Sequence, residues 1–122
     1  MATLETRQDV GDSAVVVAVA GDIDTATVDT LVKNLGTALN AALDHPRRLL
    51  IVDLSDVTYF GSAGLNAVLG CYETGLAEGV AVRLVATAAE VIRPLQVTQL
   101  DAVIRPYPTV PDAIAGPDDD RS

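Results

Sequence analysis

Ser62 stands where an extended apolar run, Leu49-Leu50-Ile51-Val52-Asp53-Leu54-Ser55, gives way to a helical pattern. The joint reads Tyr59-Phe60-Gly61-Ser62-Ala63-Gly64-Leu65, and Leu65, Val68, Leu69, Tyr72 and Leu76 then recur at helical spacing. The hydroxyl is therefore expected at or just before the first turn of a helix, beside backbone N–H groups with no intrahelical partner. A serine there can cap the helix, which is worth about 1 kcal/mol against alanine. It can also accept a phosphate, which adds roughly −1.5 to −2 charges to the surface. Nucleophilic hydrolysis is not expected. The nucleophile-elbow pattern needs glycine two residues before the serine, where Phe60 stands. The only histidine, His45, lies beside Pro46 in an expected loop, so a general base is hard to supply.

Other residues with chemical potential have structural readings. Asp24 follows a strand pattern and precedes a helix pattern, the position of an N-cap. Asp22 reads as a solvated loop acid, and Asp53 as a carboxylate at a strand end that accepts loop N–H groups. Tyr59 and Phe60 are expected to close the core beneath the joint, with Tyr59 an interface anchor if exposed. Cys71 reads as a small packing residue. One thiol and one histidine cannot build a zinc site, and a lone cysteine forms no internal disulfide. Along the second helix, Ala63, Ala67, Gly70 and Thr74 form a stripe of small residues bordered by Cys71. This stripe could admit the backbone of a docking protein, or pack on a neighbouring helix.

The elements that must position these residues follow from periodicity. Thr3 to Val10 is a weak first strand, and Gly11-Asp12-Ser13 is a turn signal. Ala14 to Ala20 is a β-branched run that reads as a buried strand, ended by Gly21-Asp22-Ile23-Asp24. Val28, Leu31, Val32, Leu35, Leu39 and Ala42 then form the apolar stripe of a helix, which Asp44-His45-Pro46 stops. A third strand is expected over about Arg48 to Leu54, a helix from near Ser62 to Glu78, and a fourth strand over Val80 to Val85. Thr87-Ala88-Ala89-Glu90 has the form of a capping box opening a short helix, which Pro94 should kink or shorten. Val103-Ile104-Arg105 looks like a last short strand, and Asp112 to Ala115 one final turn or two of helix. Residues 116–122, Gly-Pro-Asp-Asp-Asp-Arg-Ser, have nothing to bury and read as a disordered acidic tail after a single domain over 1–115.

Bulk composition narrows the function classes. The chain has 122 residues, 49% of them hydrophobic, enough for one buried core. Eight Lys and Arg against seventeen Asp and Glu give a formal charge of −9. Such a surface repels phosphate backbones and suits a basic protein partner. No apolar run reaches the roughly 18 residues of a membrane span, and the N-terminal residues lack an apolar signal core. No nucleic-acid partner and no membrane association are expected, and the location is expected to be cytosolic.

Gly21-Asp22-Ile23-Asp24, Ile51-Val52-Asp53-Leu54-Ser55-Asp56-Val57 and Phe60-Gly61-Ser62-Ala63-Gly64-Leu65 together resemble a STAS domain of the bacterial anti-sigma factor antagonist type. The resemblance runs to about Ile114. It implies an α/β fold with a four- to five-stranded, mostly parallel sheet and helices mainly on one side. It also implies a non-enzymatic protein, with no cofactor and no metal, that binds an anti-sigma factor. That partner would be a Ser/Thr kinase of the histidine-kinase-like ATPase fold. The unmodified antagonist would capture it and free a sigma factor for transcription under stress. Phosphorylation would break the complex, and a phosphatase would reset it. By position the acceptor is Ser62, and the acid beside it is Asp24. The partner-facing residues are then expected to be Asp24, Gly61, Ser62, Ala63, Gly64, Ala67 and Gly70. The joint differs from the family's commonest form, Asp-Ser-Ser-Gly-Leu, in lacking the acid before the acceptor and the second hydroxyl. Related domains also act in stressosome-like scaffolds and lipid-transport complexes, and a few bind nucleotides weakly. Here no GxxxxGK[ST] loop is present to cradle a phosphate chain.

Overall fold

Residues 3–116 are described by the computed structural model; the expected acidic tail, from 117 onward, lies outside the described residues. Five strands, β1 (Leu4–Val10), β2 (Val15–Ile23), β3 (Leu49–Phe60), β4 (Ala81–Val85) and β5 (Pro106–Tyr107), form one sheet among the described residues. Among the described residues, α1 (Val28–Leu43), α2 (Ser62–Glu78) and α3 (Ala89–Val97) join the parallel strands, and α4 (Val110–Ala115) follows β5. The spatial order of the strands is the chain order. β1 pairs antiparallel with β2, and every later pair is parallel. Each parallel crossover thus steps one strand in the same direction. Right-handed crossovers then put α1, α2 and α3 on one face, as the α/β pattern implied. The larger core lies between that face and the helices, where Val17, Leu50, Val52 and Leu84 meet Leu31, Leu35, Val68 and Val91. The opposite face carries a smaller cluster, in which Leu49, Ile51 and Val85 pack on Ala113 of α4.

The sequence places most elements within a residue or two, with three instructive departures. β3 is much longer than its apolar run and continues to Phe60. Two register shifts against β2 each add one residue to β3, so Leu54, Val57 and Phe60 face the core at three-residue intervals. Strict alternation is lost, and with it the pattern that marks a strand. The carboxylate of Asp53 holds the first bulge, since its Oδ1 accepts from the Ser55 N–H at 3.0 Å and the Ser55 hydroxyl at 2.6 Å. Val103-Ile104-Arg105 is not a strand. A 3-10 turn at Leu100–Ala102 precedes it, Ile104 drops into the core, and the edge strand is Pro106–Tyr107. Proline suits that edge because it has no N–H to leave unpaired. The capping box at Thr87 does not form either. α3 starts one residue later with Ala88 as N-cap, which moves Glu90 to the second helical position.

Two helix stripes are also shifted. Val32 is 52% exposed and Leu76 62% exposed, so neither lies in the core. α2 instead buries Gly64, Leu65, Val68, Cys71 and Gly75. Glycine at 64 and 75 lets the helix sit close to the sheet, and a Cβ on Gly75 would stand 2.7 Å from Val82 Cγ2. At Gly21 the backbone has a φ of +105°, and a Cβ there would fall on the Thr3 carbonyl oxygen. Only glycine fits where β1 crosses the end of β2.

Candidate functional site

The C-terminal ends of β2, β3 and β4 and the starts of α1, α2 and α3 all lie at one edge of the sheet. At this edge Ile23 pairs with Phe60, and the Gly61 N–H donates to the Ile23 carbonyl at 3.1 Å. Asp24 and Ser62 are the next residues on either side of that bond. The fold therefore brings together two residues that are far apart in sequence.

Ser62 is exposed and occupies the first position of α2. Gly61, in an extended conformation, is the N-cap, so the capping role considered for Ser62 is not its role. The Ser62 hydroxyl makes no hydrogen bond among the described residues. The reason is geometric: a hydroxyl at the first helical position is past the point from which it can fold back onto the N–H groups of the first turn. Gly61 itself is half-buried beneath Tyr59, whose ring and hydroxyl would lie 3.2 Å from a Cβ at that position. Tyr59 is 53% exposed and Phe60 only 4%, so Phe60 alone closes the core below the joint.

Asp24 is half-buried and is not the N-cap of α1, which is Thr27; its carboxylate instead holds the turn that leads into the helix. Its Oδ1 accepts from the N–H of Ala26 at 2.9 Å and of Thr27 at 3.2 Å. Thr27 returns the bond, its Oγ1 accepting from the Asp24 N–H at 3.0 Å and donating to the Asp22 carbonyl at 2.8 Å. The turn is thus rigid, and it leaves Asp24 Oδ2 without a bond among the described residues. Asp22 is not a loop acid. It lies within β2 and accepts from the Thr58 hydroxyl at 2.6 Å, a pairing across the second bulge that no local pattern announces.

The small-residue stripe of α2 divides by position. Gly64 is buried, and a Cβ there would lie 2.7 Å from Ile23 Cγ2 and 2.9 Å from Phe60 Cδ1. Its role is packing beneath Ser62, so the expectation that it faces a partner is corrected. Ala63 and Ala67 are half-buried, and Gly70 is exposed. Ala67, Gly70 and Thr74 line a groove of about 330 Å³ between α1 and α2, with Val32 and Gly36 on the far wall. A Cβ on either Gly36 or Gly70 would meet nothing within 4 Å. Each glycine therefore weakens its helix with no internal packing reason. Gly36→Ala and Gly70→Ala are each expected to raise stability by about 0.5–1 kcal/mol, read as a higher denaturant midpoint at unchanged slope.

Cys71 borders the same groove but is buried, and burial pushes its thiol up from the usual 9.0 to about 11. Thiolate is scarce at neutral pH, so labelling by a disulfide reagent at pH 8 is expected to be at least about tenfold slower than for free cysteine. The sign for stability follows. The unfolded thiol ionises first, so this group's contribution is intact below pH 9 and is lost as the pH rises to about 11.

His45 does not approach Ser62. It sits before β3, at the opposite end of the strand, more than roughly 30 Å away along a strand of this length. There its Nε2 donates to the Gly11 carbonyl at 2.7 Å, because Nδ1 already accepts from the Arg47 N–H at 3.0 Å. Among the described residues no cluster of His, Cys, Asp or Glu is placed to hold a metal, and no helix is long and apolar enough to cross a membrane.

This sheet order, with α1, α2 and α3 on one face and α4 on the other, defines a class of α/β domain. The sequence matches the STAS domain family over residues 2–113, and the chain belongs to that family. Its structure superposes on an anti-sigma factor antagonist from Mycobacterium paratuberculosis with a TM-score of 0.83 and 31% identity, covering 93% of this chain and 92% of that one. An anti-sigma factor antagonist STAS domain protein from Planctomyces limnophilus gives a TM-score of 0.71 at 19% identity, over 90% and 94%. The Bacillus cell fate determinant SpoIIAA in its phosphorylated form gives 0.65 at 19% identity, over 91% and 97%. No curated protein matches by sequence.

Proposed function

We propose that this chain is an anti-sigma factor antagonist. Its Ser62 edge captures an anti-sigma factor that is also a Ser/Thr kinase, and phosphorylation of Ser62 ends the capture. The observation that carries this reading is the exposed Ser62 at the first position of α2, whose hydroxyl makes no hydrogen bond among the described residues. It is open to a kinase, and modifying it breaks nothing inside the domain. A phosphate there meets the positive end of the helix dipole, which favours it by about 0.3–1 kcal/mol. The cost falls on the complex, where a docked protein must desolvate or repel a dianion. Asp24, held rigid on the adjacent strand end with one carboxylate oxygen unbonded among the described residues, adds negative charge beside the acceptor. It is suited both to orienting a kinase and to repelling the modified serine. Ala63, Ala67 and Gly70 offer the low relief that lets a partner backbone come close to Ser62. A phosphatase would restore the unmodified form.

The test is incubation of the purified chain with ATP and candidate anti-sigma factor kinases, followed by phosphopeptide mass spectrometry. Pull-downs with Ser62→Ala and Ser62→Asp forms run alongside. Modification at Ser62, with capture kept by Ser62→Ala and lost by Ser62→Asp, supports the reading. Equal capture by both forms rejects the switch.

A further inference from the structure

We infer that β1 is a pairing edge for a second copy of this chain, joined antiparallel about a two-fold axis at Thr6, so that Glu5 of each copy lies opposite Arg7 of the other. This inference is independent of the reading of Ser62. The two edges of the sheet differ. β5 is two residues long and begins with Pro106, and both features stop a sheet from growing at that edge. β1 is seven residues long, holds no proline and pairs with β2 in an uninterrupted register. Its other side has no strand among the described residues.

The ladder fixes which backbone groups point away from β2. The Thr3 carbonyl accepts from the Asp22 N–H at 2.9 Å, and the Gly11 N–H donates to the Ala14 carbonyl at 2.9 Å. Odd-numbered residues of β1 therefore turn their backbone groups to β2, and Leu4, Thr6, Gln8 and Val10 turn theirs outward. A second β1 completes these bonds only where even residues meet even residues. The Thr6 Oγ1 accepts from Asn34 of α1 at 2.7 Å, so even side chains lie on the helix face and Glu5, Arg7 and Asp9 on the open face. Glu5 and Arg7 make no ion pair within the chain among the described residues. Charge then selects the register. With Arg7 at the axis, arginine meets arginine and Glu5 meets Asp9, like against like. With Gln8 at the axis, Arg7 meets Asp9, but Leu4 falls opposite Asp12, in the bend that turns the chain away. With Thr6 at the axis, Leu4 meets Gln8, Thr6 meets Thr6, and Glu5 meets Arg7 twice. Those charged pairs take the non-hydrogen-bonded positions, where side chains stand closest. The contact is isologous, so it closes as a dimer. The two sheets become one, with the Ser62 edges pointing in opposite directions.

The experiment is sedimentation equilibrium of the purified chain at about 0.15 M salt, where repulsion between copies of formal charge −9 is screened beyond about 8 Å. The parent is expected to approach twice the chain mass at high micromolar concentration. Glu5→Arg and Arg7→Glu should each weaken self-association about tenfold, since two attractive pairs become two repulsive ones. Glu5→Arg also makes the chain less negative, so bulk repulsion alone would strengthen association. An equal mixture of the two variants restores both opposite-charge pairs and should regain the dimer, which also shows that both are folded. Gln8→Pro removes an outward N–H, leaves the β1–β2 ladder intact and should abolish the dimer. A parent that stays monomeric at every concentration overturns the proposal. So does a dimer that survives Gln8→Pro, or one weakened by Arg7→Glu and untouched by Glu5→Arg, or single variants that do not recombine on mixing.

Discussion

Ser62→Asp should lower capture of the anti-sigma factor roughly thirtyfold or more while leaving the melting temperature unchanged or slightly raised. The two halves of this expectation have separate causes. On the binding side, an unpaired charge buried in an interface costs about 2–5 kcal/mol. Aspartate carries less charge than phosphate, so it should reproduce only part of the effect. Complete reversal from almost fully bound to almost fully free needs about 5.5 kcal/mol. On the folding side, Ser62 is the first residue of α2 and its hydroxyl makes no hydrogen bond among the described residues. A carboxylate there sits at the favourable end of the helix dipole. For the same reason Ser62→Ala should change stability by less than about 0.5 kcal/mol, because the cap is Gly61 and its removal is not at issue. Isothermal titration with the anti-sigma factor and thermal denaturation by circular dichroism read the two quantities independently. A Ser62→Asp form that unfolds early would mean that the hydroxyl is structural after all.

Gly64→Ala, two residues on, is expected to do the reverse and damage the domain itself. The added methyl would lie 2.7 Å from Ile23 Cγ2 and 2.9 Å from both Phe60 Cδ1 and Cε1. Neither neighbour can move away easily, since Ile23 is fully buried and Phe60 is 4% exposed. Overpacking of this kind costs about 1–3 kcal/mol. For a domain of this size that is a fall in melting temperature of about 3–15 °C. The strain also enters the turn that carries Ser62 and the Ile23–Gly61 bond, so capture should weaken together with stability. Gly70→Ala, two turns along the same helix, makes the comparison sharp. It is chemically the same change, yet open space should make it stabilising. Equal melting temperatures for the two variants would show that α2 does not press on the sheet at Gly64 as described.

The amino-acid order determined the local part of this protein. Alternation, helical spacing and turn residues marked α1, α2, α3 and the central strands, and the joint motif singled out Ser62, because those signals depend on a few adjacent residues. Chain order also implied the parallel sheet, since each crossover is long enough for a helix and has one allowed hand. What pairing across the sheet decides was not legible. The two bulges of β3, and with them the placement of Asp22 against Thr58 and of Asp24 beside Ser62, arise from register between strands more than thirty residues apart. Burial along α2 likewise went to Gly64, Cys71 and Gly75, in place of Leu76, because distance to the sheet selects side chains by size as well as by polarity. The cleft that Tyr59, Phe60 and Leu65 share with Pro94 and Val97 exists because α3 lies next to the joint, and no pattern within α3 states where it will pack. Periodicity reports which face of an element is apolar; only the packed chain reports what that face meets.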